Sequence, residues 1–144
     1  MAIKTNTEIF LIIFGILASI LSIGCLYGGT NIEGASWKLE SYLSSEENII
    51  SPMPETKLTI VFDKEKASGT SGCNSFFSSY EVKGNSIKFG PIGSTLMYCT
   101  NPEVMDQEQT YFMRLGSIKS YKIEGNKLSL IDGNNRVVLI YSKN

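Results

Sequence analysis

The sequence predicts a mostly β domain of the α+β class, built as an antiparallel curled sheet or a small, partly open barrel of about eight strands. One helix is expected to pack against this sheet. Two observations carry the prediction. Short stretches of alternating apolar and polar residues follow one another from Ser36 to Tyr141, separated by tight turns. Residues 101–116 have helical spacing instead. Many short strands with a single helix are typical of these two architectures.

Each predicted strand is justified by its alternation and by the turn that ends it. In residues 36–43 the odd-numbered positions share one face, and in residues 58–62 the even-numbered positions do so. Residues 44–56 contain two prolines and are predicted to form a loop. The remaining predicted strands are 67–71, 76–82, 86–89, 120–124, 127–131 and 137–141. Turns that contain Gly, Asn or Asp are predicted at 63–66, 83–85, 90–93, 124–126 and 132–135.

The helix is predicted to begin after Asn101 and to end at Gly116. Asn101 can cap the helix because its side-chain oxygen accepts a backbone N–H, and Pro102 suits the first helical position, where its missing N–H costs nothing. Gly116 is expected to stop the helix. The positions that recur at helical spacing are Val104, Glu108, Tyr111, Phe112 and Leu115.

An uncharged apolar segment from Ile9 to Tyr27 precedes the domain. As a helix it would reach about 28 Å, close to the thickness of the hydrocarbon core of a bilayer. Three interpretations stay open: a lipoprotein signal acylated at Cys25, an uncleaved membrane anchor, or a signal peptide cut near Gly28. All three place the protein at the cell membrane with its domain on the extracytoplasmic side. The predicted organisation is 1–27 signal peptide or anchor, 28–35 tether and 36–144 domain.

Outside the cytoplasm, the thiols of Cys73 and Cys99 can oxidise and remain bridged. A structural disulfide is the favoured interpretation, and the chain-entropy model assigns it about 3–4 kcal/mol. A thiol-redox pair is the alternative, because the thiolate of Cys99 would lie just before the helix. Redox enzymes usually space their thiols closely, however, and these two are far apart in the sequence. Two buried free thiols stay open as a third interpretation.

Composition argues against several classes of function. The chain has 13 basic and 14 acidic residues, so its net charge gives no reason to expect nucleic acid or an anionic membrane surface as a partner. It has no histidine, which removes the commonest general base and the commonest metal ligand. Its three cysteines are too few for a structural zinc site. No catalytic residue, cofactor or metal site is therefore predicted.

Some side chains have a functional interpretation beside a structural one. Three methionines and two aromatic residues could form a groove for peptides or lipids, although core packing is favoured: Met97, Met105, Met113, Tyr111 and Phe112. Three acidic residues could supply a carboxylate pair for glycoside cleavage, although a solvated helix face is favoured: Glu103, Asp106 and Glu108. Asn74 is expected to turn the backbone beside Gly72, and Trp37 to lie in the core.

An ordered set of motifs runs through the predicted domain. It comprises Trp37-Lys38-Leu39, residues 69–76 with Gly72-Cys73-Asn74, Tyr80, Gly90-Pro91-Ile92, residues 95–99 with Met97-Tyr98-Cys99, Glu108, Phe112, Leu115, Tyr121 and Leu128-Ser129-Leu130. In this order the motifs resemble the META domain family, which includes HslJ-like lipoproteins, and the resemblance covers residues 36–141. It differs at Ser78, where the family usually has glycine.

The resemblance implies an extracytoplasmic, often lipid-anchored domain without an established enzymatic activity, with roles in stress tolerance, antibiotic resistance and motility or secretion. The expected function is that of a non-enzymatic, membrane-tethered envelope protein that binds a peptide, a lipid or another envelope protein. A thiol-redox protein that uses Cys73 and Cys99 is one alternative. A purely structural envelope component with no ligand of its own is the other.

Overall fold

A computed structural model describes residues 31–144. This part of the chain forms ten strands and one helix. In chain order they are β1 Ser36–Leu43, β2 Ile49–Ile50, β3 Leu58–Asp63, β4 Lys66–Ser71, β5 Ser75–Lys83, β6 Ser86–Phe89, β7 Gly93–Ser94, α1 Pro102–Gly116, β8 Ile118–Glu124, β9 Lys127–Asp132 and β10 Val137–Lys143.

Eight of the strands form a closed antiparallel barrel in the order β1-β3-β4-β5-β6-β8-β9-β10, and β10 pairs with β1 to close it. Closure is extensive there, since Trp37 lies opposite Lys143 and Tyr42 opposite Leu139. The junction between β6 and β8 is narrow and has a single pair of opposed residues. The short strands β2 and β7 pair with β1 and β5. The predicted fold class is confirmed, and of the two predicted architectures the barrel is the one that forms.

The barrel has two ends, which we call the amino end and the helix end. The amino end holds Ser36 and the turn between β3 and β4, and Gly34 donates its N–H to the carbonyl of Phe62 there at 2.9 Å. Ile32 is buried at the same end. The strand termini at the helix end are Leu43, Leu58, Ser71, Ser75, Ile118, Asp132 and Val137. The chain therefore enters the barrel at one end and carries its helix at the other.

Alternation along the strands fills the interior of the barrel. Residues of even number in β3 are buried, as the sequence predicts, and Trp37 is buried from β1. The largest fully buried side chains outside the helix are Trp37, Leu58, Ile60, Phe62, Ile87, Leu128, Leu130, Val138, Leu139 and Tyr141. Burial of a side chain of this size contributes roughly 1.5–3 kcal/mol, so alternation alone supplies much of the driving force.

Helix α1 lies across the helix end. Asn101 Oδ1 accepts the backbone N–H of Glu103 at 2.9 Å, which confirms the predicted cap. Tyr111 and Leu115 are fully buried, and the hydroxyl groups of Tyr111 and Tyr141 lie 2.9 Å apart. Arg114 Nε donates to the carbonyl of Leu43 at 2.9 Å. These contacts connect the helix to the end of β1 and to Tyr141 in the interior of the barrel.

Three local predictions are wrong. A bulge between Leu39 and Ser41 shifts the alternation of β1, so Tyr42 is buried beside Leu43 and Ser41 is only half-buried. The two-residue strands β2 and β7 lie in segments predicted as a loop and a turn. Gly116 is the last helical residue rather than the stop, and the cap is Ser117, whose N–H donates to the carbonyl of Arg114 at 3.0 Å.

Candidate functional site

A tight turn joins β4 to β5 at the helix end. The N–H of Ser71 donates to the carbonyl of Asn74 at 2.8 Å, which closes the turn. Gly72 has φ +105°, a backbone conformation that L side chains rarely adopt. The sequence predicts an unusual backbone here, and this prediction is confirmed. The turn places Cys73 and Asn74 beside the segment that leads into α1.

Cys73 and Cys99 form a disulfide, with Cα atoms 6.2 Å apart and a sequence separation of 26. This is the pairing that the sequence favours. The bridge ties the β4–β5 turn to residues 95–100, which we call the clamped segment. Because the disulfide holds one end of the segment and β7 holds the other, the segment is fixed although it has no regular secondary structure.

The side chain of Asn74 holds the middle of the clamped segment. Its Oδ1 accepts the hydroxyl of Thr95 at 2.7 Å and the backbone N–H of Met97 at 2.8 Å. Its Nδ2 donates to the carbonyl of Met97 at 3.4 Å. The predicted role of Asn74 in a turn is correct, but this longer-range role was not predicted. No local pattern in the sequence indicates a contact across more than twenty residues.

Glu108 on α1 completes the network. Its two carboxylate oxygens accept the side-chain amide of Asn74 at 2.7 Å and the backbone N–H of Asn74 at 2.8 Å. The hydroxyl of Ser71 also donates to it. Glu108 is 5% exposed, so its predicted place on a solvated helix face is wrong, whereas Glu103 and Asp106 are exposed as predicted. Its buried charge is stabilised by three donors, which is the usual condition for burying a carboxylate.

An apolar groove of about 480 Å³ lies between the clamped segment and α1. The clamped segment exposes large apolar side chains: Leu96 is 95% exposed, Tyr98 86% and Met97 58%. The groove is lined by Asn74, Ser94, Thr95, Leu96, Met97, Tyr98, Met105, Asp106, Glu108, Gln109 and Phe112. Exposed apolar side chains that are held in place around a concave surface are typical of an interaction site.

Core packing is the wrong prediction for Met97 and Met113, which are 58% and 55% exposed. Met105 is half-buried and lines the groove. Tyr111 packs in the core, as predicted, and Phe112 packs against it with its ring 5.7 Å from that of Phe76, while also lining the groove. Sequence periodicity places residues on a helix face but does not show whether a neighbouring element covers that face.

A second cavity, of about 490 Å³, lies on the other side of the clamped segment, between Tyr98 and the loop of residues 53–56. Gln107 supports this loop: its Oε1 accepts the N–H of Met53 at 2.7 Å, and its Nε2 donates to the hydroxyl of Thr56 at 3.2 Å. The buried position of Gln107 was not predicted, because a polar residue in a helix is normally exposed.

The charges around the groove are of one sign. Asp106 is the exposed carboxylate in its lining, and no Lys or Arg is among the lining residues. The salt bridges found within residues 31–144 do not involve Asp106. The groove is thus apolar with one exposed carboxylate in its lining.

Two further observations concern chemistry and membranes. Residues 31–144 contain no cluster of three or more His, Cys, Asp or Glu side chains arranged to hold a metal ion. Within the same range, no helix combines the length and the apolar character needed to cross a bilayer. The apolar segment of residues 9–27, and with it Cys25, lies outside the described residues.

Comparison with known proteins gives one family and several similar folds. The family model of the META domain matches residues 30–144. No curated protein matches the sequence. A protein from Burkholderia xenovorans, solved by NMR, aligns with a TM-score of 0.65 and 24% identity over 78% of this chain and 83% of that chain.

Two more solved structures resemble the chain. A second protein solved by NMR aligns with a TM-score of 0.57 and 19% identity over 77% of this chain and 90% of that chain. A crystal structure of a DUF4847 family protein from Bacteroides vulgatus aligns with a TM-score of 0.54 and 12% identity over 78% of this chain and 94% of that chain. At these levels of identity the structures support the fold alone.

Proposed function

Since the chain belongs to the META domain family, we propose that it is a non-enzymatic envelope protein, tethered outside the membrane by its amino-terminal segment, that binds another envelope protein at its helix end. The single observation that carries this proposal is the position of the groove relative to the start of the domain. The folded chain begins at the amino end, with Ile32 already buried, and the groove lies at the helix end.

The distance between the two ends favours a protein partner over the lipid of the host membrane. The eight residues of β1 run between them, and with a rise of about 3.3 Å per residue and the strand tilt of about 35–45° usual in a barrel, the ends lie roughly 20 Å apart. With residues 9–27 in the membrane, only a few residues would connect the membrane to the amino end. The apolar groove would then face away from that bilayer, toward other proteins of the envelope.

The geometry of the reactive groups supports a binding role rather than catalysis. Both carboxylate oxygens of Glu108 accept hydrogen bonds from the domain itself, which leaves this residue poorly placed to act on a substrate. The two thiols of the domain are joined to each other. The clamp also orders the exposed apolar residues before a partner arrives, which lowers the entropic cost of binding. A role in stress tolerance stays a prediction from the family resemblance.

Site-specific photocrosslinking of the full chain in its own cells tests this function. A photoreactive amino acid would replace Leu96 at the helix end or, as the matched control, Lys83, which is exposed at the amino end. We expect the Leu96 position to crosslink one recurrent envelope protein and the Lys83 position to leave it unlinked. Recovery of lipid alone at Leu96, or of the same protein equally from both positions, would contradict the proposal.

A further inference from the structure

The backbone of the clamped segment has one occupied side and one open side. Gly93 in β7 pairs with Phe77 of β5, and two residues later the N–H of Thr95 donates to the carbonyl of Ser75 at 3.0 Å. Two residues further on, both backbone groups of Met97 bond to the side chain of Asn74, the residue before β5. Every second residue from 93 to 97 thus turns its backbone groups toward residues 74–77, which is the alternation of an extended chain.

The residues in between turn their backbone groups the other way. In an extended chain the N–H and C=O groups of neighbouring residues point to opposite edges, so those of Leu96 and Tyr98 point away from β5. Within residues 31–144 no hydrogen bond reaches the backbone groups of either residue. β7 has a partner strand only on its β5 side. The segment therefore presents an open backbone edge with free donors and acceptors, to which another strand can pair as it would to the edge of a sheet.

The groove lies along this segment, and its opposite wall is one face of α1. Met105, Gln109 and Phe112 are spaced by four and three residues and line that wall. An open backbone edge beside an apolar wall is the arrangement in which an extended peptide adds as a strand. The peptide backbone bonds to the edge, and every second side chain of the peptide packs on the wall. Methionine side chains adapt to varied apolar side chains.

We propose that the groove binds an extended peptide segment, which adds as a strand to Leu96–Tyr98 and places every second side chain on Met105 and Phe112. This inference rests on the proposed function and names the form of the partner. The exposed carboxylate of Asp106 in the lining favours a segment that also carries Lys or Arg. About five peptide residues would match the span from Ser94 to Tyr98.

The test uses the full chain in phosphatidylcholine nanodiscs and pools of synthetic octapeptides. The parent pool is Lys-X-Thr-X-Thr-X-Thr-Lys, where X is Val, Ile, Leu or Phe. Two control pools keep the same side chains but carry N-methyl groups at all X or at all Thr positions, which removes the N–H donors of one strand edge. We expect the chain to retain the parent pool and one methylated pool, and to lose the other.

A pair of variants tests the same edge from the protein side. Leu96→Pro removes an N–H that has no partner in the domain, and Leu96→Ala removes only the side chain. Since one backbone hydrogen bond to the peptide is lost, we expect Leu96→Pro to weaken binding up to about tenfold and more than Leu96→Ala does. Asp106→Lys should weaken retention of the Lys-containing pool while preserving the melting temperature.

Equal retention of all three pools would overturn the inference, because side chains alone would then account for binding. No retention of the parent pool would also overturn it. If photocrosslinking at Leu96 captures an envelope protein while the parent pool is not retained, the proposed function holds and the partner contributes a folded surface instead of a strand. If neither experiment gives binding, both proposals fail.

Discussion

The carboxylate of Glu108 accepts hydrogen bonds from both the backbone N–H and the side-chain amide of Asn74, at 2.8 and 2.7 Å. The same amide group of Asn74 bonds to Met97 in the clamped segment. Through this pair, the helix, the β4–β5 turn and the wall of the groove form one hydrogen-bonded unit. The position of the exposed residues Leu96 and Tyr98 thus depends on the buried carboxylate of Glu108.

Glu108→Gln should lower the free energy of unfolding by about 1–3 kcal/mol. The glutamine side chain has one acceptor oxygen, so its NH₂ group would face a donor of Asn74 or Ser71 that is then left without a partner. Urea unfolding of the full chain measures the loss. Gln109→Ala, at the exposed neighbouring position, is the matched control and should change stability by less than about 0.5 kcal/mol. Equal stability of Glu108→Gln and the natural chain would contradict the role of this network.

Two glycines should respond to alanine with opposite signs. Gly72→Ala should destabilise by about 1–3 kcal/mol, because φ is +105° there and the new Cβ would lie 3.2 Å from Gln107 Nε2. Gly116→Ala should stabilise by about 0.5–1 kcal/mol, because Gly116 is helical and a Cβ there meets no atom within 4 Å. Thermal unfolding of both variants provides the comparison. A stabilising Gly72→Ala would mean that the turn differs from the one described.

Replacing both Cys73 and Cys99 by serine should lower stability by about 3–4 kcal/mol, the loop-closure entropy for a bridge across 26 residues. Cys25→Ser, outside the described residues, serves as the control and should leave the unfolding of the domain unchanged. Alkylation of freshly isolated, unreduced protein gives an independent check. We expect neither Cys73 nor Cys99 to be labelled. Labelling of both would show that the disulfide is absent and would contradict the clamped segment.

Four of the seven tyrosines should titrate late in alkaline solution. Burial raises the pKa of Tyr42, Tyr111 and Tyr141 above the ordinary value. Burial, with the nearby charge of Glu33, raises the pKa of Tyr80 to about 12. Absorbance at about 295 nm, where tyrosinate absorbs, follows the titration of these phenols near and above their ordinary pKa of about 10.

The sign of the effect on stability follows from these raised pKa values. Above pH ~10 the unfolded chain loses phenolic protons that the folded chain keeps, so the free energy of unfolding falls as the pH rises toward the folded pKa values. Tyr141→Phe should make this fall shallower, because it removes one such group, although it also removes the 2.9 Å contact with Tyr111. A single titration step of all tyrosines near pH 10 in the folded protein would disagree with their burial.

Much of the fold could be predicted from the sequence because alternation and turn residues are local signals. The inward residues of β3 and the cap at Asn101 follow directly from them. The strands β2 and β7 could not be predicted, because two residues form no pattern. Gln107 and Arg114 are buried because they bond to backbone groups of Met53 and Leu43, which are distant from the helix in the sequence. For the same reason, the methionines of the groove were expected in the core: a pattern shows a face, not what covers it.

Amide hydrogen exchange of the full chain without any partner tests the central claim most directly, because the proposed peptide site requires an open strand edge. Met97 donates its N–H to Asn74, and Thr95 donates its own to Ser75. We predict that the amides of Leu96 and Tyr98 exchange near the rate of an unstructured peptide, and that those of Thr95 and Met97 exchange at least about tenfold more slowly. Protection of Leu96 and Tyr98 equal to that of Met97 would mean that the edge is already occupied, and would contradict the account.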